Sequence, residues 1–315
     1  MRRSPKAFLS QSMQQIAMAT GLSARLARRG HARSIIMLHG VGDADFPKPD
    51  FDQSMRWLAA EFQVLSLDEL LRRVREGLAP DPRGEVALTF DDGLRNHVED
   101  AYPVLQNLGL PATFFVCPGL VESKRWLWNH EARARLRRLD ANQILALTQT
   151  LHPDMSGIEG IIARMKALNF EQRLAAEARI REATPDFAPT DDERQAFDLL
   201  GWDDLKRLDP TLITIGSHTV DHPILPTLDD HQIEFELCRS RAWLEEVLSR
   251  PVDLFCYPNG SQDGRVRRVA TQTYRAAVST TEGRVLPGVD WHDIPRIPVA
   301  RRLSLLAWRM HRPRS

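Results

Sequence analysis

Glu85-Val86-Ala87-Leu88-Thr89-Phe90-Asp91-Asp92-Gly93 is a short apolar run that stops at two adjacent carboxylates and a glycine. The run reads as a buried strand. Successive side chains of a strand point to opposite faces, so Asp91 and Asp92 meet one site only if the backbone turns there, and Gly93 permits that turn. Adjacent carboxylates repel by roughly several kcal/mol at low dielectric unless a cation or a shared proton compensates. Taken alone, Asp-Asp-Gly is more ordinarily a turn or a helix cap.

A second stretch changes the balance. Leu212-Ile213-Thr214-Ile215-Gly216-Ser217-His218-Thr219-Val220-Asp221-His222-Pro223 is another apolar run, and it ends in a His-x-x-x-His pair. Pro223 disfavours helix at His222 and so argues for a strand-end turn. Neutral imidazole suits zinc, nickel, iron or cobalt, and two His with one carboxylate leave coordination positions open for water and substrate. One Asp then serves as a ligand with the two His, and the other stays beside the ion to take a proton, an arrangement suited to hydrolysis.

Thr89-Phe90-Asp91-Asp92-Gly93 and His218-Thr219-Val220-Asp221-His222-Pro223 together resemble the first two motifs of the polysaccharide deacetylases, the NodB-homology or carbohydrate esterase family four enzymes. The resemblance runs on through Phe255-Cys256-Tyr257-Pro258-Asn259-Gly260 and spans about Ser34 to Val299. It implies one divalent ion on Asp92, His218 and His222, with zinc first and nickel, cobalt or iron as alternatives, and Asp91 as general base. It also implies that the turn with Tyr257 and Asn259 borders the substrate groove and that a backbone N–H near Tyr257 meets the oxyanion. Many members carry in this motif an Arg that orients the base. This chain has none there, and Arg296, in the strand-like run Asp293 to Val299, is the candidate replacement.

The family's fifth motif, a strand ending in Leu-His, is absent near the C-terminus, whereas Ile35-Ile36-Met37-Leu38-His39 is similar to it. The chain therefore resembles the circularly permuted members found at exopolysaccharide loci, with His39 as general acid. Trp291 is a candidate for lining the sugar site, with core packing the stronger reading.

Apolar runs alternating with helical stripes, motif residues standing at strand ends, predict an α/β fold: a distorted parallel (β/α) barrel of the NodB-homology type. The expected organisation is a basic amphipathic arm over residues 1–33, broken at Gly21, a barrel over 34–303 and a basic tail over 304–315. Residues from about 118 to 200 carry helical patterns without a strand and read as an insertion. Trp126 and Trp128 at its start anchor it to the core or stack on a sugar; laid over the strand ends, it would act as a substrate-selecting lid.

Composition bounds the partners. The 315 residues balance 42 basic against 42 acidic side chains, and 43% are apolar, ordinary for a soluble globular protein. No apolar stretch is long enough to span a bilayer. Three scattered cysteines fit a reducing, cytoplasmic compartment. Arg2, Arg3, Lys6, Arg25, Arg28, Arg29 and Arg33 precede the first acidic residue, and Arg296, Arg301, Arg302, Arg309, Arg312 and Arg314 follow the last. A solvated basic face is the ordinary explanation; peripheral contact with an anionic membrane surface is the sharper one. No aromatic-basic interleaving points to nucleic acid. The expected activity is a metal-dependent N-deacetylase acting on an acetylated amino sugar, polymeric, lipid-linked or nucleotide-linked. The rival readings are a catalytically silent carbohydrate-binding relative and a hydrolase of O-acetyl or non-sugar substrates.

Overall fold

The computed structural model describes residues 5–28, 33–151 and 157–311; Arg2, Arg3, Arg29, Arg312 and Arg314 of the basic ends lie outside them. Eight strands follow in order: β1 (Arg33–Leu38), β2 (Gln63–Leu65), β3 (Glu85–Phe90), β4 (Ala112–Val116), β5 (Ile213–Ser217), β6 (Leu254–Cys256), β7 (Ala276–Glu282) and β8 (Ile294–Pro298). Their pairings are parallel and run β1-β8-β7-β6-β5-β4-β3, and β1 returns to β3 along its whole length. Seven strands thus close a barrel. β2 and β4 share the other edge of β3, β2 along Glu85–Ala87 and β4 along Leu88–Phe90.

Strand alternation divides the apolar residues into two cores. Ile35, Ala87, Phe115, Leu254, Cys256, Val278 and Ile294 fill the barrel with Leu67, Leu70 and Leu71 of the helix Leu67–Arg75. Ile36, Leu38, Leu88, Phe90, Phe114, Val116 and Ile297 face the surrounding helices. Side chains buried on both faces explain why these strands read as continuous apolar runs.

Among the described residues six helices, from Pro118–Ser123 to Asp191–Phe197, follow β4, and a seventh, Trp202–Arg207, leads into β5. The six have a core of their own around Trp128, Leu136, Ile161, Ile162, Met165 and Ile180. Trp126 is held within the insertion: its indole N–H donates to Asp198 at 2.8 Å, and its ring meets Phe187 and Phe197. The N-terminal helices Pro5–Ala19 and Leu22–Arg28, separated at Gly21, pack with the C-terminal helix Leu303–His311. The two ends of the chain are therefore neighbours. Among the described residues no helix is long and apolar enough to cross a membrane.

Glu85 is fully buried at the start of β3 and receives Arg33 Nε at 2.6 Å, Arg73 Nη1 at 2.8 Å and the Asp81 N–H at 3.2 Å. It ties β1, β3 and the helix Leu67–Arg75 together at the end of the barrel away from Asp91. Removing one partner of a buried ion pair leaves an uncompensated charge, so Glu85→Ala is expected to cost about 3–5 kcal/mol in urea unfolding. Arg33→Met combined with Glu85→Leu should cost less than Glu85→Ala alone.

Candidate active site

Parity along the strands decides which side chains enter the barrel mouth. Thr89 and Asp91 continue the inward series of Ala87; His39, His218, Cys256 and Arg296 hold inward positions on or just beyond β1, β5, β6 and β8. Asp92 has the wrong parity. It joins the site because its own backbone is left-handed, at φ 79°, followed by Gly93 at φ 67°. The sequence assigned the turn to Gly93, but the residue that swings is Asp92. Left-handed backbone is uncommon outside glycine, with Asp enriched among the exceptions. A Cβ on Gly93 would lie 3.3 Å from Val116 Cγ1, so the close packing also favours glycine there.

His218 Nε2 and His222 Nε2 each lie 3.4 Å from Asp92 Oδ1. Ligand atoms about 2.0–2.1 Å from one tetrahedral ion stand roughly 3.4 Å apart, so the three buried residues fit a divalent ion. His218 Nδ1 donates to the Cys256 carbonyl at 2.6 Å, which leaves Nε2 as the lone-pair nitrogen facing Asp92. His222 is placed by a constrained loop. Thr219, at φ 71°, accepts the His222 N–H at 3.0 Å through its hydroxyl, and Glu236 Oε2 accepts the N–H groups of Val220 at 2.7 Å and Asp221 at 3.1 Å. Asp91, His218 and Cys256 form a second close cluster. Its Asp and Cys already receive a guanidinium, which makes it the poorer cation site.

That guanidinium belongs to Arg296. It is wholly buried and spends all five N–H groups: Nε on the Ser279 carbonyl at 2.8 Å, Nη1 on Thr89 Oγ1 at 3.0 Å and Asp91 Oδ1 at 2.7 Å, and Nη2 on Asp91 Oδ2 at 2.7 Å and Cys256 Sγ at 3.2 Å. The fork-to-fork contact with Asp91 fixes the carboxylate plane. Burial pushes the Asp91 carboxyl up, yet the charge and hydrogen bonds of Arg296 hold it below its ordinary value. His39 Nε2, half exposed at the end of β1, stands 3.8 Å from Asp91 Oδ2.

Residues 79–277 match the polysaccharide deacetylase family. The chain belongs to that family. YxkH of Bacillus subtilis strain 168, a curated polysaccharide deacetylase relative, is 27% identical over 275 residues, covering 86% of this chain and 72% of its own. Among solved structures, IcaB from Ammonifex degensii superposes with a TM-score of 0.59 at 18% identity over 89% of this chain and 98% of its own. The Streptococcus pyogenes deacetylase PplD, solved with acetate, gives 0.58 at 19% identity over 86% and 93%. These two likenesses support the fold. The family match leaves out both β1 and β8 and so contains neither His39 nor Arg296. Barrel closure brings both to Asp91 all the same.

The structure places Tyr257 away from the site, Asn259 at its rim, and Trp291 against the barrel core, the stronger of its two readings. Tyr257 follows Cys256 and so faces outward: its ring packs against Phe255, its hydroxyl donates to the His292 carbonyl at 3.0 Å, and its backbone N–H donates to the Val278 carbonyl at 3.3 Å. That N–H is committed to the sheet and is not offered to an oxyanion. Asn259 stands at the rim at φ 54°, where its side-chain oxygen accepts Lys166 Nζ of the insertion at 2.9 Å. Gly260 cannot carry a side chain, since a Cβ would fall 2.0 Å from Thr280 Oγ1. Trp291 is not brought to the site. Its carbonyl accepts the Ala277 N–H near the start of β7, and Arg75 covers its ring at 4.9 Å.

Other parts of the site had no signal of their own in the sequence. Cys256 read as a small core residue, which it is, but its carbonyl also sets the His218 tautomer. His97 lies within a helical stripe and is buried between Phe90 and Phe114, where its Nε2 meets the His39 carbonyl at 2.9 Å. Burial pushes its imidazole down to about 4, so it is a neutral prop for the end of β1.

Arg296→Met is expected to cost about 3–5 kcal/mol near neutral pH, because it leaves Asp91 buried without its cation. A depressed carboxyl value contributes stability above the ordinary carboxylate range and loses it as pH falls through the folded-state value. The gap between wild type and Arg296→Met in urea unfolding should therefore narrow on acidification. A gap that widens would show the pair is not what stabilises the barrel mouth.

Proposed function

We propose that the protein is a metal-dependent N-deacetylase that hydrolyses the acetamide of an amino sugar in a bacterial polysaccharide or cell-envelope pathway. The reading rests on two adjacent carboxylates with different surroundings. Asp92 faces two imidazoles, whereas Asp91 faces an arginine and a histidine. Asp92, His218 and His222 would hold the ion, zinc in this proposal, which when bound acidifies a water and polarises the acetamide carbonyl. Asp91 is the proton acceptor. Each of its oxygens keeps a lone-pair direction beyond the one used by Arg296, and Arg296 holds it ionised and correctly oriented.

His39 faces Asp91 from the other side of the same space and delivers a proton to the departing amine. The carbonyl carbon gains a bond to the water oxygen and loses its bond to nitrogen, releasing acetate and a free amino sugar. The half-exposed His39 suits a substrate that arrives from the open mouth, and the family supports a polysaccharide over a nucleotide- or lipid-linked precursor. A cytoplasmic location, with contact to an anionic membrane surface through the basic chain ends, belongs to the same proposal.

Acetate release from N-acetylated sugars should stop with a chelator and return on adding Zn²⁺. Asp91→Asn should retain bound metal, measured by elemental analysis, while kcat falls by about 10²–10⁴. His39→Ala should lower kcat by roughly 10² or more. A loss of only a few-fold would remove His39 from the acid role.

A further inference from the structure

The helices Pro5–Ala19, Leu22–Arg28 and Leu303–His311 pack on one another through small and apolar side chains: Ala17, Ala24, Ala27, Leu306 and Met310 are buried. That packing leaves part of their apolar surface outside. Met13, Ile16, Leu22, Leu26 and Trp308 line an open groove of about 700 Å³ between the helices, with Arg284 beside them. Met13 is 57% exposed, Ile16 64% and Leu22 46%. Single exposed apolar side chains are ordinary, whereas several along one groove mark a surface that a partner covers.

Charge decides which partner fits. None of the three helices contains an Asp or a Glu. Arg25 is exposed one turn beyond Leu22. Arg284 donates through Nε at 3.0 Å and Nη2 at 2.6 Å to the Met310 carbonyl, a neutral partner that leaves its charge uncancelled. Arg309 donates to the carbonyls of Pro298 and Val299, while Arg28 pairs with Glu61 at 3.3 Å. The groove is therefore apolar within and basic around its edge. A two-fold contact with a second copy would set this positive face against itself, and like charges across an interface repel. A bilayer with anionic headgroups supplies both complements, negative charge at its surface and hydrocarbon within about 5–10 Å of it.

We propose that this groove is a peripheral docking surface for an anionic lipid bilayer. Met13, Ile16 and Leu22 enter the boundary between headgroups and acyl chains, and Arg25 and Arg284 meet lipid phosphates. The inference rests on the membrane contact proposed above, to which it adds an apolar component and a definite face, and it is independent of the chemistry at Asp91 and Asp92.

The test sediments the full chain with vesicles of phosphatidylcholine alone, or with about 30% phosphatidylglycerol, in about 0.1 M and 0.5 M NaCl. Binding should require the anionic lipid, and should weaken but persist in high salt, which screens the arginines and not the apolar contact. Met13→Ser combined with Ile16→Ser should keep the wild-type urea midpoint and bind about tenfold more weakly. Arg25→Glu should weaken binding about threefold or more in low salt and little in high salt. With brominated acyl chains, tryptophan fluorescence should be quenched in wild type and quenched less in Trp308→Phe. Binding that vanishes in high salt and ignores the serine substitutions would leave the basic chain ends as the contact and overturn the groove. No binding to anionic vesicles would overturn the groove and the membrane contact together. Equal binding to both kinds of vesicle, equal quenching in Trp308→Phe, or a dimer that the serine variant dissociates would also overturn the proposal.

Discussion

A buried arginine from the last strand grips a carboxylate from the third, and the geometry of the barrel mouth depends on that grip. Arg296 and Asp91 are 205 residues apart in the chain and meet through two hydrogen bonds of 2.7 Å each. Neither charge could be buried alone at acceptable cost. The other guanidinium hydrogens reach Thr89, Ser279 and Cys256, so one side chain joins β3, β6, β7 and β8. The same contacts keep Asp91 ionised within an otherwise apolar barrel. Packing and the electrostatics of Asp91 thus share one interaction, because the last strand supplies the counter-charge of the third.

The second constraint is backbone geometry at the rim. Asp92, Thr219, His222 and Asn259 all adopt positive φ, between 53° and 79°. Thr219 is the most unfavourable of these, since β-branched residues rarely enter that region. Such positions cost of order 1–3 kcal/mol each and persist when their surroundings over-determine them. Here the surroundings are explicit: the Thr219 hydroxyl, the Glu236 carboxylate and the hydrogen bond from the Gly119 N–H to the Val220 carbonyl hold the loop on three sides. Strain at the rim is what turns the ligand side chains toward one point.

The insertion contributes enclosure. Lys166 reaches Asn259, Trp126 is bound to Asp198, and Trp128 sits between the insertion's core and the loop carrying His222. Between β4 and β5, this segment grows from the strand end that precedes the His218 strand. Its position lets it shape what reaches Asp92, His218 and His222 without supplying one of them.

Much of this was legible in one dimension. Apolar runs ending in Asp91-Asp92-Gly93 and in His218 to His222 marked buried strands with chemistry at their C-terminal ends, because side-chain type and local period suffice for that inference. The absence of a motif arginine pointed to Arg296, and the early Leu-His pair pointed to His39. Other features depended on the fold. Whether Tyr257 faced the site was decided by the parity of β6. Trp291 was decided by the depth at which its segment meets β7. Cys256 and His97 acquired their places at the site only from neighbours far along the chain. Sequence reports which groups a strand ends with, because that is local; barrel closure and register decide which of them face one another, because those are set by contacts between strands that no single segment contains.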